Sequence, residues 1–74
     1  MNQVVILFHS AHHSIWANKL VKKAGIEQKL MPVPRRFSSD CGYCLRVREE
    51  DCAKVLNIFD ENQVEYDRVE QLDQ

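Results

Sequence analysis

The segment "QVVILF", residues 3–8, constrains this chain more than any other. It is β-branched and aromatic, and it stops at His9, so it reads as a strand over residues 3–8. Val4, Ile6 and Phe8 point to one face, Val5 and Leu7 to the other. A strand that is apolar on both faces suits the centre of a sheet. The chain has 74 residues, enough for one domain over 1–74. A domain of this size buries only about 60% of the surface its unfolded chain exposes, so its core is marginal. A homodimer would relieve that shortage.

The next segments set the order of elements. Ser10 is placed to cap a helix in which Ala17, Leu20, Val21 and Ala24 recur at helical spacing, with Ile15 and Trp16 beside them. Gly25 supplies the left-handed position after it, and Ile26 folds back as its hydrophobic partner. "EQKLMPV" reads as a second strand. "CLRVRE" reads as a third, with Leu45 and Val47 facing one way and Arg46 and Arg48 the other. Glu49, Glu50 and Asp51 cluster where a second helix begins, a position that favours negative charge. Cys52, Val55, Leu56 and Phe59 form its apolar stripe, and Asn62 is placed to end it in the left-handed conformation. "VEYDRVEQL" alternates weakly as a fourth strand.

The order βαββαβ predicts an α+β ferredoxin-like sandwich, a four-stranded antiparallel sheet with two helices on one face. In that topology the third strand lies between the first and second. The turn into the first helix and the connection between the second and third strands then share one end of the sheet. That connection carries Cys41 and Cys44, so His9, Ser10, His12 and His13 are expected near it. Cys52 belongs to the opposite end and to the core.

Charge and cysteine usage narrow the chemistry. A net charge of −1 gives no reason to expect a nucleic-acid partner. The opening "MNQVVILFHSAHH" has five consecutive apolar residues and no basic start, too little for a signal peptide or a membrane span. The expectation is a cytoplasmic protein with no membrane partner, where thiols stay reduced. Three cysteines, an odd count, argue against a disulfide framework. A CxxC in such a chain suggests redox, metal or sulfur chemistry; the bland alternative is a chance spacing of two small residues.

The CxxC sits in "MPVPRRFSSDCGYCLRV", residues 31–47. The connection from about Pro32 to Tyr43 is long against the ~2–5 residues of a hairpin loop, and long loops in small domains tend to be functional. Pro32 and Pro34 stiffen its first part into an extended path. Arg35 and Arg36 add fixed positive charge, and Gly42 frees the backbone after Cys41. Cations and a helix N-terminus lower a thiol's pKa, whereas Asp40 works the other way. His12 and His13, in the first helical turn, are held toward the neutral form that suits a base or ligand. Each of these residues also has a plain structural explanation: a strand stop for the prolines, a solvated pair for the arginines, turn formation for Ser38 and Ser39, packing for a histidine.

"KLVKKAGIEQKLMPVPRRFSSDCGYCLRV" resembles the small bacterial proteins of the selenium/sulfur (Se/S) carrier protein-like family, on Lys22, Gly25, Ile26, Pro32, Pro34, Arg35, Ser38, Ser39, Cys41, Gly42 and Arg46. The resemblance implies that the thiolate of Cys41 accepts sulfur or selenium from a protein donor, such as a cysteine desulfurase, and passes it to an acceptor. Arg35 would stabilise the anion, Ser38 and Ser39 would donate hydrogen bonds and Gly42 would let a partner's backbone approach; Arg36 joins this site by the charge it adds to the loop, and His12 and His13 by the topology. No cofactor is required. Where the family pattern has a small non-cysteine residue this chain has Cys44, which would discharge a persulfide on Cys41. That departure keeps two other readings open: a dithiol redox protein using Cys41 and Cys44, and a soft-metal module using both with His9, His12 or His13. A partner-binding domain without chemistry is the fourth.

Overall fold

The structure, a computed structural model, describes residues 2–37 and 42–72. Its elements are β1 (Gln3–Leu7), α1 (Ala11–Lys23), β2 (Gln28–Pro32), β3 (Tyr43–Arg48), a 3-10 turn (Glu49–Asp51), α2 (Cys52–Asn62) and β4 (Arg68–Gln71). The sheet order is β2-β3-β1-β4 and every neighbouring pair is antiparallel. This is the expected α+β ferredoxin-like arrangement. β1 lies inside the sheet, as its two apolar faces require.

Alternation assigns each face. Val4, Ile6 and Phe8 from β1 and its end meet Leu45 and Val47 from β3, under Ala17 and Val21 of α1 and Val55 and Phe59 of α2. The Phe8 and Phe59 rings sit 5.9 Å apart and tilted, a favourable edge-on geometry. On the opposite face Val5, Leu7 and Cys44 form a second, smaller cluster, packed by Met31, Val33, Phe37 and Leu72. The arginines expected opposite Leu45 and Val47 share that face.

Helix ends follow the sequence closely. The Ser10 side chain accepts from the His13 backbone N–H at 3.3 Å. After α1, Gly25 adopts φ +79; its N–H donates to Lys22 O and that of Ile26 to Val21 O, which satisfies two terminal carbonyls and turns Ile26 onto the core. α2 ends in the same way one residue later than expected. Gln63, not Asn62, takes the left-handed conformation, at φ 58, and the Val64 N–H donates to Phe59 O at 2.9 Å. Asn62 stays helical, its amide donating to Ile58 O at 2.8 Å. Three strands are shorter than expected, β2 by one residue at each end. β1 stops at Leu7, and β4 starts only at Arg68 because Val64 is committed to the helix cap and the core.

Candidate functional site

Leu7 pairs with Cys44 and Pro32 with Tyr43, so the end of β1 and the β2–β3 connection share one end of the sheet, as the topology predicts. From that end the described part of the connection folds back over the face that carries no helices. Val33 remains tied to the hairpin, its N–H donating to Gly42 O at 3.1 Å. The chain then turns: the Phe37 N–H donates to Pro34 O at 3.0 Å. The expected extended path thus ends at Pro34, position i of a turn whose corner residues are Arg35 and Arg36. Phe37 packs with Val33 on Val5, Leu7 and Cys44, and Arg36 stacks over the Phe37 ring at 4.9 Å. The Arg36 guanidinium donates to the carbonyls of Gln71 and Leu72, at the end of β4. Residues 33–37 are therefore a strap across the sheet, clasped at its far edge.

This strap decides the environment of Cys44, which is 0% exposed. Its Sγ donates to Pro32 O at 3.9 Å, a long contact typical of a weak sulfur donor. Cys44 shares the parity of Arg46 and Arg48, so alternation alone placed it on this face; that the face is sealed there was not legible from a run reading as a polar loop. Cys52 lies at the start of α2, at the opposite end of the sheet and half-buried against the helix-side core. Burial pushes its thiol up, and Glu49 adds to the effect.

The histidines gather near the same end but on the helix side, where they attend to the α2–β4 connection. His13 Nδ1 accepts from the Glu65 backbone N–H at 3.3 Å, and its ring lies 5.9 Å from both His12 and Trp16. His9 Nε2 is 3.8 Å from Asp67. Arg36 and Cys44 are thus brought into one layer on one face, and His12 and His13 stand on the other. Arg35 is exposed in the turn, and Gly42, at φ +81, holds a backbone conformation that side-chain-bearing residues rarely take. Ser38, Ser39 and Cys41 lie outside the described residues. Among the described residues, no three His, Cys, Asp or Glu side chains converge as a metal site would require, and no helix is long and apolar enough to cross a membrane.

The fold and its cysteine-bearing connection define a class, the small α+β domains with a long connection between the two strands of a hairpin. Within it, the chain belongs to the family described as "Putative Se/S carrier protein-like", whose sequence pattern matches residues 3–70. No curated protein and no solved structure matches it.

Proposed function

We propose that this chain is a cytoplasmic carrier that accepts a sulfur or selenium atom on Cys41 and hands it to an acceptor protein. The family supports carriage in general. The observation that supports Cys41 is the fate of the other two thiols: Cys44 is sealed under the strap, and Cys52 is half-buried with its thiolate disfavoured. Thiolate character and access decide which cysteine reacts. In the forward step the Cys41 thiolate attacks the outer sulfur of a donor persulfide. The donor's S–S bond breaks, the donor leaves as a thiolate, and Cys41 carries the transferred sulfur with no net change of redox state. Arg35 supplies positive charge to the persulfide anion, Ser38 and Ser39 donate hydrogen bonds, and Gly42 keeps the approach open; Arg36, held on the carbonyls of Gln71 and Leu72, is committed to the strap rather than to the sulfur.

Cys44 gives a second, slower step. When the strap lifts, the Cys44 thiolate attacks the inner sulfur of the Cys41 persulfide. A Cys41–Cys44 disulfide forms, and the outer sulfur, reduced by two electrons, leaves as sulfide. In the closed arrangement burial of Cys44 protects the cargo, which favours carriage over the dithiol reading. His12 and His13, on the helix face, serve an approaching partner better than the sulfur itself.

Mass spectrometry after incubation with a cysteine desulfurase and cysteine tests this. One added sulfur is expected on Cys41, none after Cys41→Ser, and a longer-lived adduct in Cys44→Ala. Sulfur found on Cys52, or an adduct unaffected by Cys41→Ser, overturns the assignment.

A further inference from the structure

The outer faces of the two helices are built differently. On α1, the residues opposite the buried stripe of Ser14, Ala17 and Val21 are His12, Ile15, Trp16, Lys19, Lys22 and Lys23, all exposed. Ile15 is 48% and Trp16 36% exposed, large apolar groups that the fold itself does not cover. The helix has no acidic residue anywhere. Opposite the buried Val55 and Phe59, α2 and its 3-10 lead present Glu50, Ala53, Asn57, Asp60 and Glu61, with Lys54 as the one cation. Among the described residues, Lys19, Lys22, Lys23, Glu50 and Asp60 have no ion-pair partner within the chain. A cationic and an anionic helix side by side on one face make that face complementary to itself.

We propose that the helix layer is a self-association surface, on which two copies meet about a two-fold axis parallel to the helices, α1 of each over α2 of the other. The sheet topology makes α1 and α2 antiparallel, and the axis keeps each helix's direction. The C-terminal end of α1, with Lys22 and Lys23, then faces the N-terminal end of the other copy's α2, with Glu50. The N-terminal end of α1, with His12, faces Asp60 and Glu61. Both ends of the contact pair opposite charges. Between them Trp16 and Ile15 arrive over Ala53 and Asn57, side chains small enough to leave room. Such a contact is isologous and closes at two copies. The slab, 29 × 28 × 15 Å, has a broad face large enough for the ~800 Å² per partner of a stable interface. The arrangement puts the β2–β3 connections of both copies at the same end of the dimer.

Trp16 is the only tryptophan, so sedimentation and intrinsic fluorescence followed over one concentration series test the proposal without any variant. A dimer is expected, weakened by salt, with Trp16 emission moving to the blue at the same midpoint. Lys23→Glu and Glu50→Lys should each weaken association by about tenfold, because the two-fold axis makes each reversal set two like-charge pairs against each other, and the double variant should recover most of it. Lys54→Ala should tighten the dimer by removing the one like charge facing Lys19. Circular dichroism and unfolding curves confirm that each variant is folded. A monomer at every concentration in low salt overturns the proposal. So does a dimer whose Trp16 emission stays unchanged, growth into larger assemblies, or a double variant no better than its parents.

Discussion

β1 buries side chains on both faces, yet what lies over them differs. Ile6 and Phe8 are roofed by two helices, α1 capped at its start by Ser10 and each ended by a left-handed residue, Gly25 or Gln63. Val5 and Leu7, on the other side of the same strand, are covered by Met31, Leu72 and the strap, which among the described residues is held by the Val33–Gly42 and Phe37–Pro34 backbone bonds and the Arg36 clasp. Opening the helix side means breaking the larger core. The strap side loses few contacts when it lifts and leaves the sheet intact, so opening there belongs to the low-energy end of native motion. It is the side that holds Cys44 and leads toward Cys41. Stability and ease of opening are thus divided between the two faces.

The strongest way to break this contrast is Phe59→Ala. Removing a fully buried ring from the helix-side core should cost about 3–5 kcal/mol, a large part of the ~5–15 kcal/mol that typical domains possess. Chemical denaturation should show a protein that is largely unfolded or close to it. Phe37→Ala removes a half-buried ring from the strap and should cost only about 1–2 kcal/mol. Its main effect should be on Cys44, which alkylates much faster in the native state, as mass mapping would show. Equal losses at Phe59 and Phe37 would break the comparison.

Arg36→Ala should barely move the unfolding midpoint, because an exposed guanidinium contributes little net stability. It should still quicken Cys44 alkylation, and Arg36→Lys should recover only part of the protection, since an ammonium lacks the planar fork that reaches two carbonyls. Unchanged alkylation in Arg36→Ala would show that packing by Phe37 alone holds the strap. The smallest effect concerns Cys52. Its folded-state thiol pKa is raised by burial first and by Glu49 second. The resulting contribution to stability is fully present below the pKa of the unfolded thiol and is lost as pH rises through the folded one. Glu49→Gln should shift thiolate formation at Cys52 slightly downward in a spectroscopic titration, with most of the elevation remaining.

Much of the fold was legible because local signals agreed with one another. The double-sided strand, the serine cap, the Gly25–Ile26 ending and the stripe on α2 all pointed to one topology. The left-handed residue after α2 was misplaced by one, because Asn tolerates that conformation best while the end was set by Val64 reaching the core. The strap was harder to read. "PVPRRF" has the composition of an exposed loop, and nothing local says that Phe37 turns inward. The clue was non-local: Val5, Leu7 and Cys44 share a face that no helix covers, so something had to. The histidines show the limit from the other side. Topology put them at the correct end of the sheet, but only contacts with Glu65 and Asp67 assign them to the helix face.

The position of β1 has a consequence for synthesis. The first strand made pairs on one side with β3 and on the other with β4, the last. During synthesis β1 is therefore an adhesive apolar ribbon that cannot find its second neighbour until the whole span from β1 to β4 has been made. Shielding of that ribbon while the domain is being made therefore stands beside the thermodynamic strength of the finished sheet.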